Sequence, residues 1–261
     1  MDAKLQVVRD GAVARLRMQR AEVHNAFDAD LIKGLTDALA ALGEDASVRV
    51  VVLEGDGASF SAGADLNWMR GMAKMSEAEN RDDSLALARL MRTLDELPKP
   101  TIACVQGAAF GGGVGLVACC DIAIGVQEAK FGLTEAKLGL LPAVISPYVI
   151  RAIGPRQARR YFATAEIFSA DEAHRIGLLH QVVNATTLDT AVQRQIDLLL
   201  KAGPIASASA KALVRNVIAH EDGDRFDADN AALIARLRVS PEGQEGLAAF
   251  LDKRTPSWID S

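Results

Sequence analysis

The residues best placed to do chemistry form one stretch, Val105-Gln-Gly-Ala-Ala-Phe-Gly-Gly-Gly-Val-Gly-Leu-Val-Ala-Cys-Cys-Asp121, with five glycines between Gly107 and Gly115. Thr101-Ile-Ala-Cys-Val105 reads as a short buried strand, and the apolar, Ala-rich run after the glycines as a buried helix. A strand, a turn too glycine-rich to carry side chains and a helix start together aim bare backbone N–H groups at a ligand. The unpaired donors of the first helical turn and the positive end of the macrodipole then act together. That chemistry is the binding of negative charge, and a phosphate is the first candidate. Ala58-Ser-Phe-Ser-Ala-Gly-Ala-Asp-Leu-Asn-Trp-Met69 is a second place where small residues meet a helix start.

Other chemistries fit less well. Gly111-Gly-Gly-Val-Gly115 lies mid-chain, lacks the full G-x-G-x-x-G spacing and has no convincing ribose-binding acid after the next strand, which argues against a dinucleotide site. Ser59 and Ser61 stand near glycines but in no G-x-S-x-G, which argues against a serine hydrolase. Cys104, Cys119 and Cys120 form no C-x-x-C pair, and His24, His174, His180 and His220 are scattered, so no metal site is expected. The cysteines read as small buried hydrophobes in a reducing compartment. A net charge of −5 and a pI near 5.5 argue against nucleic acid or an anionic membrane as partner. No apolar run approaches the ~20 residues that span a bilayer. The first residues, Met1 to Arg9, carry no signal-peptide core, so a cytoplasmic location is expected.

The elements that must position these residues alternate. Leu5–Val8 and Val13–Met18 flank an Asp-Gly hairpin signal, and Asp28 or Asp30 can cap a helix running to about Leu42. Val48–Leu53 reads as a buried parallel strand, Arg70–Asp83 as a mobile polar segment and Ser84–Leu97 as a helix stopped by Pro98 and Pro100. Strands are expected at Asp121–Val126, Ala129–Gly132 and Gly177–Val183, and a turn at Thr134–Gly139. Helices follow at Tyr148–Ile153, Pro155–Thr164 and up to Ile176, the last opened by a capping box at Ser169–Glu172. Leu188–Lys201, Ile205–Glu221, Asp224–Arg238 and Pro241–Lys253 are four more helices. The pattern strand, strand, helix recurs about four times, giving one α/β core with a helical C-terminal part.

Five motifs in order give this chain a family resemblance: Ser-Ala-Gly-Ala-Asp-Leu (61–66), Val-Gln-Gly-Ala-Ala-Phe-Gly-Gly-Gly (105–113), Cys-Asp-Ile-Ala (120–123), Lys-Phe-Gly-Leu-Thr-Glu (130–135) and Gly-Leu-Leu-Pro (139–142). The C-terminal run Ser240–Pro256 adds to them. Over nearly its whole length the chain resembles the crotonase superfamily, the enoyl-CoA hydratase/isomerase group. The resemblance implies an enzyme with an α/β spiral of repeated ββα units. The core and active site would span 1–195, and a helical region at 196–261 would form a trimer or a dimer of trimers.

The ligand implied is an acyl-CoA thioester, with no further cofactor. Its carbonyl oxygen, charged as an enolate forms, would meet the backbone N–H groups of Ala64 and Gly112. The resemblance further implies CoA contacts at Val23, His24, Ala26, Ala62, Asp65 and Leu66, and substrate contacts at Phe110 and Thr134. Phe250 and Lys253 would be C-terminal contacts, Lys253 with a nucleotide phosphate of a neighbouring subunit. Asp65 also reads as a helix cap and Lys253 as a solvated cation. Hydratases of this group hold a water between two glutamates. Here one is Glu135, flanked by Phe131, Leu133, Leu138 and Leu140, and the other position is Gly115. Burial would raise the Glu135 pKa toward neutrality.

One glutamate suffices for a Δ3,Δ2-enoyl-CoA isomerase. It also suffices for hydration of one held water, with the Gly115 space admitting a branched or carboxylated acyl group. The runs 64–69, 113–121 and 142–148 look like bacterial methylglutaconyl-CoA and carboxygeranoyl-CoA hydratases of leucine and isoprenoid degradation, which favours hydration. The acyl pocket is expected from Arg70–Asp83 and Ala143–Tyr148, with Arg70, Lys74 or Arg151 available to a substrate carboxylate.

Overall fold

A computed structural model describes residues 4–219 and 223–259. The chain opens with the antiparallel hairpin β1 (Leu5–Asp10) and β2 (Val13–Met18), turning through Gly11 at φ 54°. Helix α1 (Ala29–Glu44) follows, capped by the Asp28 carboxylate on the Leu31 N–H, and buries Leu31, Ile32, Leu35, Leu39 and Leu42. Asp30, the other candidate cap, lies inside the helix.

Three similar turns then wind in succession. The first is β3 (Val50–Gly55), β4 (Ser59–Ser61), α2 (Leu66–Met72) and α3 (Glu77–Asp95). The second is β5 (Thr101–Val105), β6 (Ala108–Phe110) and α4 (Gly112–Cys119). The third is β7 (Ile122–Val126), β8 (Lys130–Gly132), a 3-10 turn Thr134–Leu138 and α5 (Ser146–Thr164). β9 (Ile167–Ser169), α6 (Ala170–Arg175) and β10 (Gln181–Val183) close the core, and α7 (Leu188–Lys201), α8 (Pro204–Ala219), α9 (Gly223–Val239) and α10 (Pro241–Leu251) follow.

The first strand of each turn joins one sheet, of order β1-β2-β3-β5-β7-β10; the second strand joins another, of order β4-β6-β8-β9. From β2 to β10 the first sheet is parallel, and β4, β6 and β8 pair in parallel in the second. This is the spiral of ββα units expected from the sequence. Its strands β3 and β5 are buried on both faces, as continuous apolar runs require. The expected boundary at 195 falls inside α7, whose Val192 and Ile196 are buried in the core.

Several elements differ from expectation for physical reasons. The glycine stretch is not one turn: β6 interrupts it, and α4 begins at Gly112, within the glycines. Much of the glycine serves close packing, because a Cβ at Gly107 would collide with the Ala58 carbonyl and one at Gly113 would stand 2.6 Å from the Ser61 carbonyl oxygen. Arg70–Asp83 is helical at both ends, with α3 starting at Glu77 rather than Ser84. Ser76 and Glu79 form a reciprocal capping box there, and the polar residues face solvent. At Ser169 the hydroxyl does cap α6, but Glu172 turns away to Tyr161 and Arg175, so no reciprocal box forms. The two helices expected at 148–164 are α5, kinked at Gly154 with φ 76°. Only Gln181–Val183 of the strand expected at 177–183 is extended. His220 and the expected helix end at Glu221 lie outside the described residues.

Candidate active site

Ala64, Gly112 and Glu135 hold the same place in three successive turns of the spiral. Each lies two or three residues beyond the C-terminal end of its strand, β4, β6 or β8. Because those strands are parallel neighbours in that order, the three loops emerge side by side. The carboxyl end of parallel strands is where such sheets offer a ligand crevice.

Ala64 sits on an isolated parallel bridge to Phe27. Its neighbours make both bonds of that bridge: Phe27 N–H donates to Gly63 O at 2.6 Å, and Asp65 N–H to Phe27 O at 2.8 Å. The Ala64 N–H therefore points away from the bridge, and among the described residues it has no protein acceptor. Gly112 is the first residue of α4, where no intrahelical acceptor exists for its N–H. Gly63, at φ 82°, lets the Ala64 loop approach the Phe110 carbonyl, two residues ahead of Gly112; a Cβ there would be 2.9 Å from that oxygen.

Glu135 reaches the start of α4. A Cβ on Gly111 would stand 3.1 Å from Glu135 Oε1, so the carboxyl lies over the residue that precedes Gly112. Oε2 is buried with no hydrogen-bond partner. An unpaired buried carboxylate oxygen is costly, which makes Glu135 a candidate functional group. Burial lifts the Glu135 pKa above its ordinary value. Phe131 and Leu133 are buried beside it, whereas Leu138 and Leu140 are exposed at 59% each.

The Gly115 position behaves differently from expectation. The space beside it is not free for a branched acyl group: Ile145, almost fully buried, fills it, with Met91 behind. An apolar plug takes the place of a second carboxylate.

Most of the other sequence candidates lie before or within the first turn. Val23 ends a 3-10 turn, and His24 and Asn25 adopt left-handed backbone with φ 56° and 53°. His24 Nδ1 meets Ser59 Oγ at 3.0 Å, the Ala62 N–H donates to the His24 carbonyl, and Ala26 is buried. The Asp65 side chain is occupied, accepting from the Asn67 and Trp68 N–H groups as the cap of α2 and pairing with Arg20 at 3.1 Å. Burial raises its pKa, but those donors and Arg20 outweigh it and hold the carboxyl below its ordinary range. Leu66 is exposed, Phe110 lays its ring over Gly132, and Thr134 opens the Glu135 turn.

Phe250 (83% exposed) and Lys253 lie on the C-terminal segment with α10, away from the three loops in sequence, and Lys253 is left-handed at φ 54°. Arg151 pairs with Asp95 and covers the Tyr148 ring, and Arg70 donates to Asn67. A charged cleft between β2, β3 and α7 is a separate feature, its Arg15 and Arg17 paired with Glu54. Among the described residues, no cluster of His, Cys, Asp or Glu is arranged to hold a metal ion, and no helix is long and apolar enough to cross a membrane.

Three roles were missed by sequence reasoning: those of Arg20 and Phe27, and that of Ile145, which lies inside the expected pocket segment Ala143–Tyr148 but fills the space beside Gly115. Arg20 donates to the Ala26 carbonyl and to Asp65 and forms an ion pair with Asp28, tying the end of the first hairpin to the Ala64 loop. None has a local signal, since each acts on residues far along the chain.

The site so described has two backbone N–H groups without protein acceptors, at Ala64 and Gly112, and a buried Glu135 carboxyl whose Oε2 has no partner. The chain belongs to the enoyl-CoA hydratase/isomerase family, whose model matches residues 9–261. It is similar to the crystal structure of an enoyl-CoA hydratase from Shewanella pealeana, with 46% identity, a TM-score of 0.95, and 98% of this chain and 96% of that one covered. The crotonyl-CoA hydratase of Syntrophomonas wolfei is 33% identical over 95% of this chain and 94% of its own length. The 2,3-dehydroadipyl-CoA hydratase of Escherichia coli is 32% identical, with 98% of each chain covered. These relatives support an enoyl-CoA hydratase activity in general terms and do not favour the isomerase alternative.

Proposed function

We propose that this enzyme adds water across the double bond of a 2-enoyl-CoA with Glu135 as its only acid–base group. The unpartnered Glu135 Oε2, on a carboxyl that reaches Gly111 at the start of α4, carries this reading. Ionised Glu135 takes a proton from the held water as its oxygen bonds to Cβ. The electron pair moves through Cα to the thioester oxygen, where Ala64 and Gly112 stabilise the enolate. The protonated Glu135 then returns its proton to Cα, so one water is added and the carboxylate is restored. Removing one such backbone donor typically costs ~10²–10³ in rate. Its raised pKa brings the acid and base forms of Glu135 closer in energy, as a group that plays both roles requires.

The acyl group is branched or carboxylated in this reading, in line with the 2,3-dehydroadipyl-CoA named for one relative. A fit like that of the leucine- and isoprenoid-degrading hydratases belongs to the same reading. With the Gly115 side closed by Ile145, the group extends past the exposed Leu138 to Leu141 edge. CoA lies along Val23–Ala26 and Ala62–Leu66. Phe250 and Leu251, exposed at 83% and 76%, cover a neighbouring subunit in a trimer or dimer of trimers, where Lys253 reaches a nucleotide phosphate.

A panel of straight, branched and carboxylated 2-enoyl-CoA thioesters, followed by loss of enoyl absorbance, tests this. Hydration of a branched or carboxylated member ahead of crotonyl-CoA is expected. Isomerisation of a 3-enoyl-CoA with no hydration of any member would overturn it.

A further inference from the structure

We propose that Phe27 is a positioning residue that sets the spacing between the two oxyanion donors; this rests on the reading of Ala64 and Gly112 given above. The donors belong to different turns of the spiral, and no hydrogen bond joins Ala64 to Gly112. Phe27, just ahead of α1 and 1% exposed, touches both. Its backbone holds the Ala64 loop from either side, through Gly63 O at 2.6 Å and the Asp65 N–H at 2.8 Å. Its ring lies against Gly112: a Cβ there would be 2.5 Å from Cε2 and 2.9 Å from Cδ2. Glycine at 112 thus lets the aromatic edge seat directly on the first backbone unit of α4.

One rigid side chain with only two rotatable bonds therefore spans the gap between the donors. Its own backbone is fixed in turn by Asn25, fully buried, which donates to the Asp56 and Ser59 carbonyls, and by Arg20 on the Ala26 carbonyl. Shrinking the ring leaves every donor in place but frees the start of α4 to shift relative to Ala64. Hydrogen bonds weaken steeply with misalignment, and the charged enolate depends on them more than the neutral thioester does. The loss therefore falls on kcat.

The experiment compares wild type, Phe27→Leu and Phe27→Ala for kcat, KM and the absorbance band of a bound conjugated dienoyl-CoA, whose red shift reports polarisation of the thioester carbonyl. Leu39→Ala, in the buried face of α1, controls for lost stability. Phe27→Leu should lower kcat about tenfold and Phe27→Ala about 10²-fold, with KM nearly unchanged and the red shift reduced in step. Leu39→Ala should keep both kcat and red shift. Wild-type kcat and red shift in Phe27→Leu would overturn the positioning role, and that variant keeps the test open if Phe27→Ala does not fold. Equal losses in Leu39→Ala would also overturn it. A wild-type enzyme that binds the dienoyl-CoA with no red shift would instead remove the oxyanion reading, and the proposal with it.

Discussion

Ile145 occupies the space that a side chain at Gly115 would need: a Cβ there would stand 2.9 Å from the Ile145 Cβ, collide with its Cγ2 and lie 3.2 Å from Met91 Cε. Gly115 and Ile145 are therefore one packing unit, and hydrocarbon fills the room that a side chain at 115 would need. Gly115→Glu alone should be destabilised by more than the ~1–3 kcal/mol of ordinary overpacking, since it also buries a charge. Gly115→Glu combined with Ile145→Gly should recover much of the lost Tm. Calorimetry of the two variants checks this; equal Tm values would show that the plug is not what excludes the glutamate.

Glu135→Gln should lower kcat by ~10²–10⁴, the usual contribution of a positioned acid–base group. The same change should raise Tm at neutral pH. Burial lifts the folded pKa of Glu135 above the ordinary 4.5, so between those values the folded state holds more protons than the unfolded one. Stability therefore falls as pH rises through that window, and the glutamine variant escapes the loss. In wild type the acid limb of kcat/KM should lie above pH 4.5. Thermal melts at pH 4 and pH 8 with a pH–rate profile decide it.

Gly111→Ala should impair catalysis through Glu135. Gly111 has φ 49° and ψ −118°, and a methyl there would press on Glu135 Oε1 from 3.1 Å. Backbone strain of this kind costs about 1–3 kcal/mol. Activity should fall further than stability, which parallel measurement of kcat and Tm will show.

Asp65→Ala removes the cap of α2 and leaves Arg20 with one fewer partner. Losing the cap alone costs about 0.5–2 kcal/mol. Because its folded pKa is lowered, Asp65 contributes stability above its unfolded value, and that contribution disappears as pH falls through its folded value. The Tm difference between wild type and variant should therefore shrink on acidification.

Phe250→Asp, placed on the exposed face of α10, should lower the solution mass if that face is a subunit contact. Light scattering at micromolar concentration reads it directly. Wild type running as a monomer would remove the trimer from the reading.

Much of this protein can be read from local sequence. The Asp-Gly hairpin, the Asp28 cap, the apolar run of β3 and the helices after Leu188 lie close to where periodicity and turn chemistry put them. Such features depend on neighbours within a few residues, which is why spacing reveals them. The motifs around Ala64, Gly112 and Glu135 single out those positions in the sequence, and the structure sets their loops side by side. The Ser76 capping box was there to be read as well, but the polar run after it looked like a loop, because solvent-facing helix and loop share a composition.

Only the tertiary structure decided how those positions meet. No local pattern states that β4, β6 and β8 are parallel neighbours, yet that pairing sets three distant loops side by side. Nor does the glycine at 115 say what fills the room it leaves; Ile145 arrives from the next turn of the spiral. Phe27 looks in sequence like one more core aromatic, and only packing shows it touching both donors. Residue types and short spacings determined which groups were available. Long-range strand pairing and close packing determined which of them share a site.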